Sequence, residues 1–215
     1  MRVSVCAVQS EMDVRAVVSG GADAVGVLVQ VAHVAEDAVT LEHAANLLGL
    51  VPPYVGRYAV THAKSLPELL AAAALPIDSL QIHDDVDPSL VTALRQKRPQ
   101  LRILKALHVT EREAAPDIGL WDGIADAVVL DSVDLARDRI GGTGHTHDWE
   151  ISASLVRQSS VPTVLAGGLR PDNVSEAVAR VRPWAVNVNS GVETDGAKDM
   201  RKVRAFAAAA NGLSA

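Results

Sequence analysis

Short valine-rich runs recur along the whole chain, and a helix-forming stretch follows most of them. The runs lie at residues 3–8, 24–29, 57–60, 79–83, 102–107, 127–130, 163–166 and 185–188. Several are apolar throughout and do not alternate with polar residues. That is the pattern of strands covered on both faces in a parallel sheet. The intervening stretches carry helix punctuation. Residues 10–18 have apolar positions at helical spacing and end at Gly20-Gly21. Thr40 opens a second helix, and Ser65 and Asp87 each sit one or two residues before a proline in a first turn. Asp148 precedes WEISASLVRQ, Pro171-Asp172-Asn173 precedes VSEAVARV, and a last helix is expected from about Lys198 to Ala210.

Eight such units in 215 residues predict an α/β fold, a single (β/α)8 barrel spanning residues 1–215. Barrels of this kind typically take about 250 residues, with a floor near 200. An open doubly wound sheet is the rival. Composition agrees with layers of helix on sheet: 48% of residues are apolar and only 3% aromatic, which disfavours an aromatic-rich β-sandwich. The formal net charge of −6 gives no general attraction to nucleic acid or to anionic membranes. One cysteine excludes an internal disulfide. No apolar run reaches 18 residues, and the N-terminus lacks the charged start and long apolar core of a signal peptide. The expectation is a cytoplasmic protein with no membrane or nucleic-acid partner.

In a barrel the chemistry gathers at the C-terminal ends of the strands. Polar residues and glycines at those ends are Cys6 within strand one, His83-Asp84-Asp85 after strand four, Asp131 after strand six, Gly167-Gly168 after strand seven and Asn189-Ser190-Gly191 after strand eight. The glycine loops after strands seven and eight suit a phosphate, because they admit close backbone approach and precede helix starts. Cys6 and Asp131, from distant stretches, can face each other across a barrel mouth as a proton donor and a proton acceptor. A thiolate base needs a nearby cation or helix N-terminus. His83 and Lys105 are expected as pocket residues. Lys105 also offers Schiff-base chemistry, with a carboxylate partner as the plainer role. Asp84-Asp85 reads as a solvated turn. Residues 140–149, IGGTGHTHDW, read as a mobile loop that closes over a ligand, with Gly142 and Gly144 against it and Asp148 as a helix cap. His145 and His147 lack a zinc spacing, and no metal is expected.

Taken in order, SGGADAVGVLV, LQIHDD, VVLDS followed by GGTGHTHDW, LAGGLRPDNV and RPWAVNVNSGVE leading to Lys198-Asp199 resemble the phosphoribosylanthranilate isomerase family over nearly the whole chain. The resemblance implies a (β/α)8 enzyme of tryptophan biosynthesis. Its reaction is an Amadori rearrangement that converts an aminoaldose into a 1-amino-1-deoxyketose. It further implies Cys6 as general base, Asp131 as general acid, and a phosphate held by Gly167, Gly168, Ser190 and Gly191. No cofactor or metal is implied. The ligand is a phosphorylated sugar amine, and Asn187 joins the pocket residues.

Three positions depart from the family pattern. Ser4 stands where the family has a lysine, two residues before the cysteine. The loop after strand two, QVAHVAEDAVT, has no Lys or Arg to grip an anthranilate carboxylate and carries Glu36 and Asp37 instead. Asn187 and Asn189 replace the aspartate and first serine of strand eight. These departures leave two readings: an anthranilate enzyme whose carboxylate partner comes from elsewhere, such as Arg57 or Arg139, or a paralogue acting on another phosphoribosylamine. A non-catalytic sugar-phosphate binder and a Lys105 aldolase or lyase stand as alternatives. A monomer or weak homodimer is expected.

Overall fold

Parallel pairing runs unbroken around a ring of eight strands in this computed structural model, which describes residues 1–31, 37–109, 116–134, 139–140 and 148–213. The strands are β1 (Arg2–Val5), β2 (Ala24–Val29), β3 (Gly56–Thr61), β4 (Ser79–Ile82), β5 (Arg102–Val109), β6 (Ala127–Asp134), β7 (Thr163–Leu165) and β8 (Ala185–Val188). β1 pairs with both β2 and β8, and the β5–β6 pairing completes the circle, so the sheet is closed and not doubly wound. The helices outside it are α1 (Glu11–Ser19), α2 (Leu41–Gly49), α3 (Leu66–Ala72), α4 (Pro88–Lys97), α5 (Trp149–Gln158), α6 (Val174–Val181) and α7 (Met200–Ala210). Between β5 and β6 the described residues hold a single 3-10 turn, Ile118–Trp121.

The helix starts follow the capping residues. Ser10 and Asp13 form a reciprocal capping box, and Thr40, Asp87, Asp148 and Asp199 each accept a backbone N–H in the first turn of their helix. Such caps contribute about 1 kcal/mol each. Ser65 instead gives its hydroxyl proton to Glu68 at 2.6 Å. α7 begins at Met200 and not at Lys198, because Ala197–Lys198 pairs with Glu193–Thr194 in a short hairpin.

Two strands, β1 and β6, end three or more residues from where the sequence places their ends. β1 stops at Val5 because Ala7 takes φ +58°, which turns the backbone out of the extended region. Cys6 therefore lies just past the strand, still tied to β8 by its N–H to the Val188 carbonyl at 3.0 Å. β6 runs on to Asp134 and pairs antiparallel with Arg139–Ile140, so Asp131 lies inside the strand and not after it.

Register sorts the side chains into two layers, since partners on adjacent parallel strands share a face and faces alternate along each strand. Leu104, Ala106, Val129, Val164, Ala166 and Ala185 form the inner cluster of the barrel. The opposite faces, with Ile103, Val128, Leu130, Leu165 and Val186 among them, pack against helix residues such as Leu48, Leu94 and Phe206. Each fully buried Val or Leu in that outer layer contributes about 1.5–3 kcal/mol. Small inner residues leave room at the C-terminal rim for polar side chains.

Candidate active site

Cys6, Tyr58, Asn187, Asp131, His83 and His108 share the inner face at that rim. The register shows how. Ser4 pairs with Asn187 across β1 and β8, and Cys6 is the next inward position after Ser4. His108 pairs with Asp131 across β5 and β6, one inward step beyond the pairing of Ala106 with Val129.

Burial pushes the Cys6 thiol up to about 12, with the Asp131 and Asp37 carboxylates adding to the rise. The Lys198 ammonium and a hydrogen bond from the Asn187 side chain pull the other way. The sulfur sits 3.6 Å from the Val188 carbonyl oxygen, which accepts the thiol proton. Burial also raises the Asp131 carboxyl to about 6, against a Ser132 backbone N–H that donates to its Oδ1 at 2.7 Å. The chamber thus holds a carboxyl that titrates near neutral pH beside a thiol that keeps its proton.

Lys198 supplies the cation for the sulfur. Its buried ammonium is held by Glu193 Oε1 and by Asn189 Oδ1, and Asn189 in turn donates its amide to Asp37 Oδ2 at 2.7 Å. The Asp37 carboxylate of the strand-two loop is therefore already engaged; Glu36 lies outside the described residues.

His83 is buried in a row of imidazoles. Its ring is 4.8 Å from that of His62 and 4.9 Å from that of His108. Gln81 donates to His83 Nδ1 at 3.2 Å, and His108 Nε2 donates to the His83 carbonyl at 2.9 Å. Desolvation lowers the His108 titration, so this ring stays neutral beside Asp131. Among the described residues no group of metal-ligating side chains converges to hold an ion.

The two glycine loops meet at the rim. Gly167 and Gly168 have φ of +83° and +62°. A side chain on Gly167 would strike Ser132, with its Cβ 2.5 Å from Oγ. Gly191 opens toward the other loop so closely that an added Cβ would lie 2.0 Å from the Leu169 carbonyl oxygen. Asn173 braces the first loop, donating to the Gly168 carbonyl at 3.0 Å and accepting from the Arg170 N–H at 2.7 Å. Gly167, Gly168 and Gly191 are half-buried and Ser190 is exposed, so a ligand can reach their backbone. Such an array of loop N–H groups, with a helix start behind it, suits an anion.

Lys105 does not belong to this chamber. It falls between Leu104 and Ala106 of the inner cluster and so points outward. Its buried ammonium lies 5.2 Å from the Trp121 ring centroid and 3.9 Å from Asp85, and it donates to the Ala106 carbonyl. Burial lowers its pKa to about 8. The charge-partner role holds and the pocket role falls. Asp84 is buried and paired with Lys64 at 2.9 Å, while Asp85 is solvated, so only half of that turn is as expected. Arg57 cannot meet a substrate carboxylate either. It sits near the start of β3, at the far end of the barrel, clamped on Asp78 at 3.1 and 3.4 Å. Gly142, Gly144, His145 and His147 lie outside the described residues, as does most of the expected lid.

Comparison with known proteins fits this geometry. The family model described as N-(5'phosphoribosyl)anthranilate (PRA) isomerase matches residues 3–209. The chain belongs to the PRA isomerase family. Among its relatives is the N-(5'-phosphoribosyl)anthranilate isomerase of Halorubrum lacusprofundi, 40% identical over 211 residues, covering 96% of this chain and 95% of the relative. Another is N-(5'-phosphoribosyl)anthranilate isomerase 2 of Methanosarcina mazei, 34% identical over 208 residues, covering 96% and 92%. The solved PRA isomerase of Thermotoga maritima superposes with a TM-score of 0.84 at 29% identity, covering 99% of this chain and all 100% of that one. A further PRA isomerase structure holds reduced 1-(o-carboxyphenylamino)-1-deoxyribulose 5-phosphate and superposes with a TM-score of 0.80 at 27% identity, covering 99% and 100%.

Tyr58, His62, His108 and Lys198 were not singled out as site residues from sequence. His108 is hidden because the sequence reading ends strand five two residues early, at 107, where β5 runs to Val109. Extending the alternation Leu104, Ala106 by one step reaches it. Tyr58 had a fainter signal: the glycine at position 26 of the neighbouring strand, which makes room for its ring.

Proposed function

We propose that this member of the PRA isomerase family catalyses the Amadori rearrangement of N-(5'-phosphoribosyl)anthranilate in tryptophan biosynthesis. The observation that carries the reading is the pair of half-buried Cys6 and buried Asp131, electrostatically coupled in one chamber beside two glycine loops. Asp131 gives its proton to the ribose ring oxygen. The bond from C1 to that oxygen breaks, its electron pair stays on oxygen, and the nitrogen lone pair forms a C1=N iminium. The Cys6 thiolate then takes the proton from C2, and the electrons of that C–H bond neutralise the iminium as an enolamine. Tautomerisation moves the enol proton to C1 and leaves the C2 ketone.

The substrate-free chamber stores its proton on sulfur and leaves Asp131 ionised above about pH 6. The reactive arrangement is the same proton count with one proton moved from sulfur to carboxylate. The iminium formed on ring opening is a cation close to the sulfur and favours the thiolate when it must act. Gly167, Gly168, Ser190 and Gly191 hold the phosphate, and His83, with Asn187 below, lines the sugar side. We place the reaction in the cytoplasm, as for a biosynthetic enzyme; among the described residues no helix is long and apolar enough to cross a membrane. A monomer or weak dimer is the assembly we assign, a point that sedimentation reads.

The test is complementation of a tryptophan auxotroph that lacks this isomerase. Growth on minimal medium is the expected result. No growth with soluble protein present would overturn the anthranilate reading and favour a paralogue for another phosphoribosylamine.

A further inference from the structure

Two of the departures from the family pattern meet in space. Asp37 belongs to the strand-two loop, and Asn189 directly follows β8. The Asn189 amide nitrogen donates to Asp37 Oδ2 at 2.7 Å. Its oxygen accepts from the Lys198 ammonium. A lysine has protons to give and no acceptor, so the amide has one orientation: oxygen on the cation, N–H groups toward Asp37. Lys198 is held firmly in turn. Its side chain is 2% exposed, and Glu193 Oε1 accepts from it. Glu193 and Lys198 are register partners in the short hairpin, and the Lys198 N–H donates to Asp13 Oδ1 at 2.9 Å. The cluster adjoins the sulfur. The Val188 carbonyl, in the peptide that leads into Asn189, accepts from the Cys6 N–H at 3.0 Å and from the Cys6 thiol at 3.6 Å.

We propose that the Asn189 amide, backed by the Lys198 ammonium, is the donor for the carboxylate on the substrate's amine half, and that Asp37 holds that place until substrate arrives. The proposal rests on the anthranilate reading. The carboxylate of that substrate is ortho to the amine, so it lies a few bonds from the carbon whose proton Cys6 removes. The strand-two loop offers it no Lys or Arg, and Arg57 is committed to Asp78 at the far end of the barrel. An amide whose oxygen is bound to a cation is polarised and donates more strongly. Asp37 and Asn189 are both half-buried, so a ligand can reach their contact. The exchange is like for like. One carboxylate leaves the amide and another takes its place, so the charge facing Lys198 and Glu193 is unchanged. Asp37 therefore acts by competition and Asn189 by contact, and their removal has opposite effects.

Calorimetry with two unreactive ligands reads this without turnover. One is reduced 1-(o-carboxyphenylamino)-1-deoxyribulose 5-phosphate, the ligand in the related structure. The other is the same reduced compound built on aniline, which lacks the carboxylate. Asp37→Ala is expected to bind the carboxylated ligand about fivefold more tightly than the parent does, and Asn189→Ser about fivefold more weakly, the scale of one charge-assisted hydrogen bond at a half-exposed position. Both variants are expected to bind the aniline ligand within about twofold of the parent, since a rim charge acts weakly on the distant phosphate. In the Asn189→Ser background, Asp37→Ala is expected to gain less than about twofold, because the donor it would free is gone. An unchanged affinity of Asp37→Ala for the carboxylated ligand overturns the proposal. So does a tightening shared by both ligands, which is a general charge effect, or an equal gain in both backgrounds. If Asn189→Ser does not fold, the two ligands measured against Asp37→Ala decide. Carboxylate discrimination in a protein without isomerase activity would leave this contact standing and refute only the catalytic reading. Turnover of the anthranilate substrate without that discrimination would do the reverse.

Discussion

The Asp131 carboxylate on β6 is one of the charges that keeps the proton on the Cys6 sulfur beyond β1. The two groups titrate as a pair, and their order sets the pH dependence. Asp131 loses its proton at about 6 and Cys6 at about 12. Between those limits the pair holds one proton, wherever it sits. Since the reaction needs one proton shared between them, kcat/KM for the free enzyme is expected to rise through about pH 6 and then stay level through pH 9. A pH–rate profile of the parent checks this. A fall in rate between pH 6 and 8 would contradict the pairing.

Asp131 also costs stability. Its folded-state pKa is raised, so the folded chain binds more protons than the unfolded chain between pH 3.8 and about 6. Stability therefore falls as pH rises through that window and stays lower above it. A rise of about two units in a fully buried group corresponds to roughly 3 kcal/mol. Asp131→Asn keeps the oxygen that accepts from Ser132 and removes the charge. It is expected to be more stable than the parent at pH 7.5, with the gap shrinking toward pH 4, as read by urea unfolding. The same gap at both pH values would show that the buried charge is not its source.

Gly191 tests the anion cradle. A methyl group there would sit 2.0 Å from a backbone oxygen of Leu169, so the two loops must part. Gly191→Ala is expected to raise KM by tenfold or more and to weaken inhibition by inorganic phosphate by a similar factor. Overpacking of this kind costs about 1–3 kcal/mol, within reach of a folded protein. Unchanged phosphate inhibition would detach the cradle from these loops.

Lys105 separates this chemistry from the Schiff-base alternative. Its ammonium faces Trp121 and Asp85 in the outer layer. Lys105→Met is expected to keep kcat within about twofold, since an apolar residue of similar volume often replaces a buried ion pair without loss. Borohydride treatment of the parent with phosphorylated ketoses is expected to trap no adduct. A trapped adduct on Lys105 would reverse the assignment.

Much of the architecture was legible because valine-rich strands and capping residues such as Thr40, Asp87 and Asp148 mark element starts locally. Strand ends were less legible. Ala7 leaves the extended region although nothing in its side chain asks for it, and β6 continues to Asp134 because Arg139–Ile140 pairs with it. The face of Lys105 was misjudged for a related reason. A lysine near a strand's end looks like a rim residue, and only the inner cluster of Leu104 and Ala106 shows which side it takes. The Tyr58–Asn187 hydrogen bond joins residues far apart in sequence across the lumen, so no local pattern announces it.

The most direct measurement is steady-state turnover of N-(5'-phosphoribosyl)anthranilate by the purified parent, Cys6→Ala and Asp131→Asn. The parent is expected to convert the substrate, and each variant to lose about 10²-fold or more in kcat while remaining folded. Near-parental kcat in either variant would contradict an acid–base pair built from that thiol and that carboxyl.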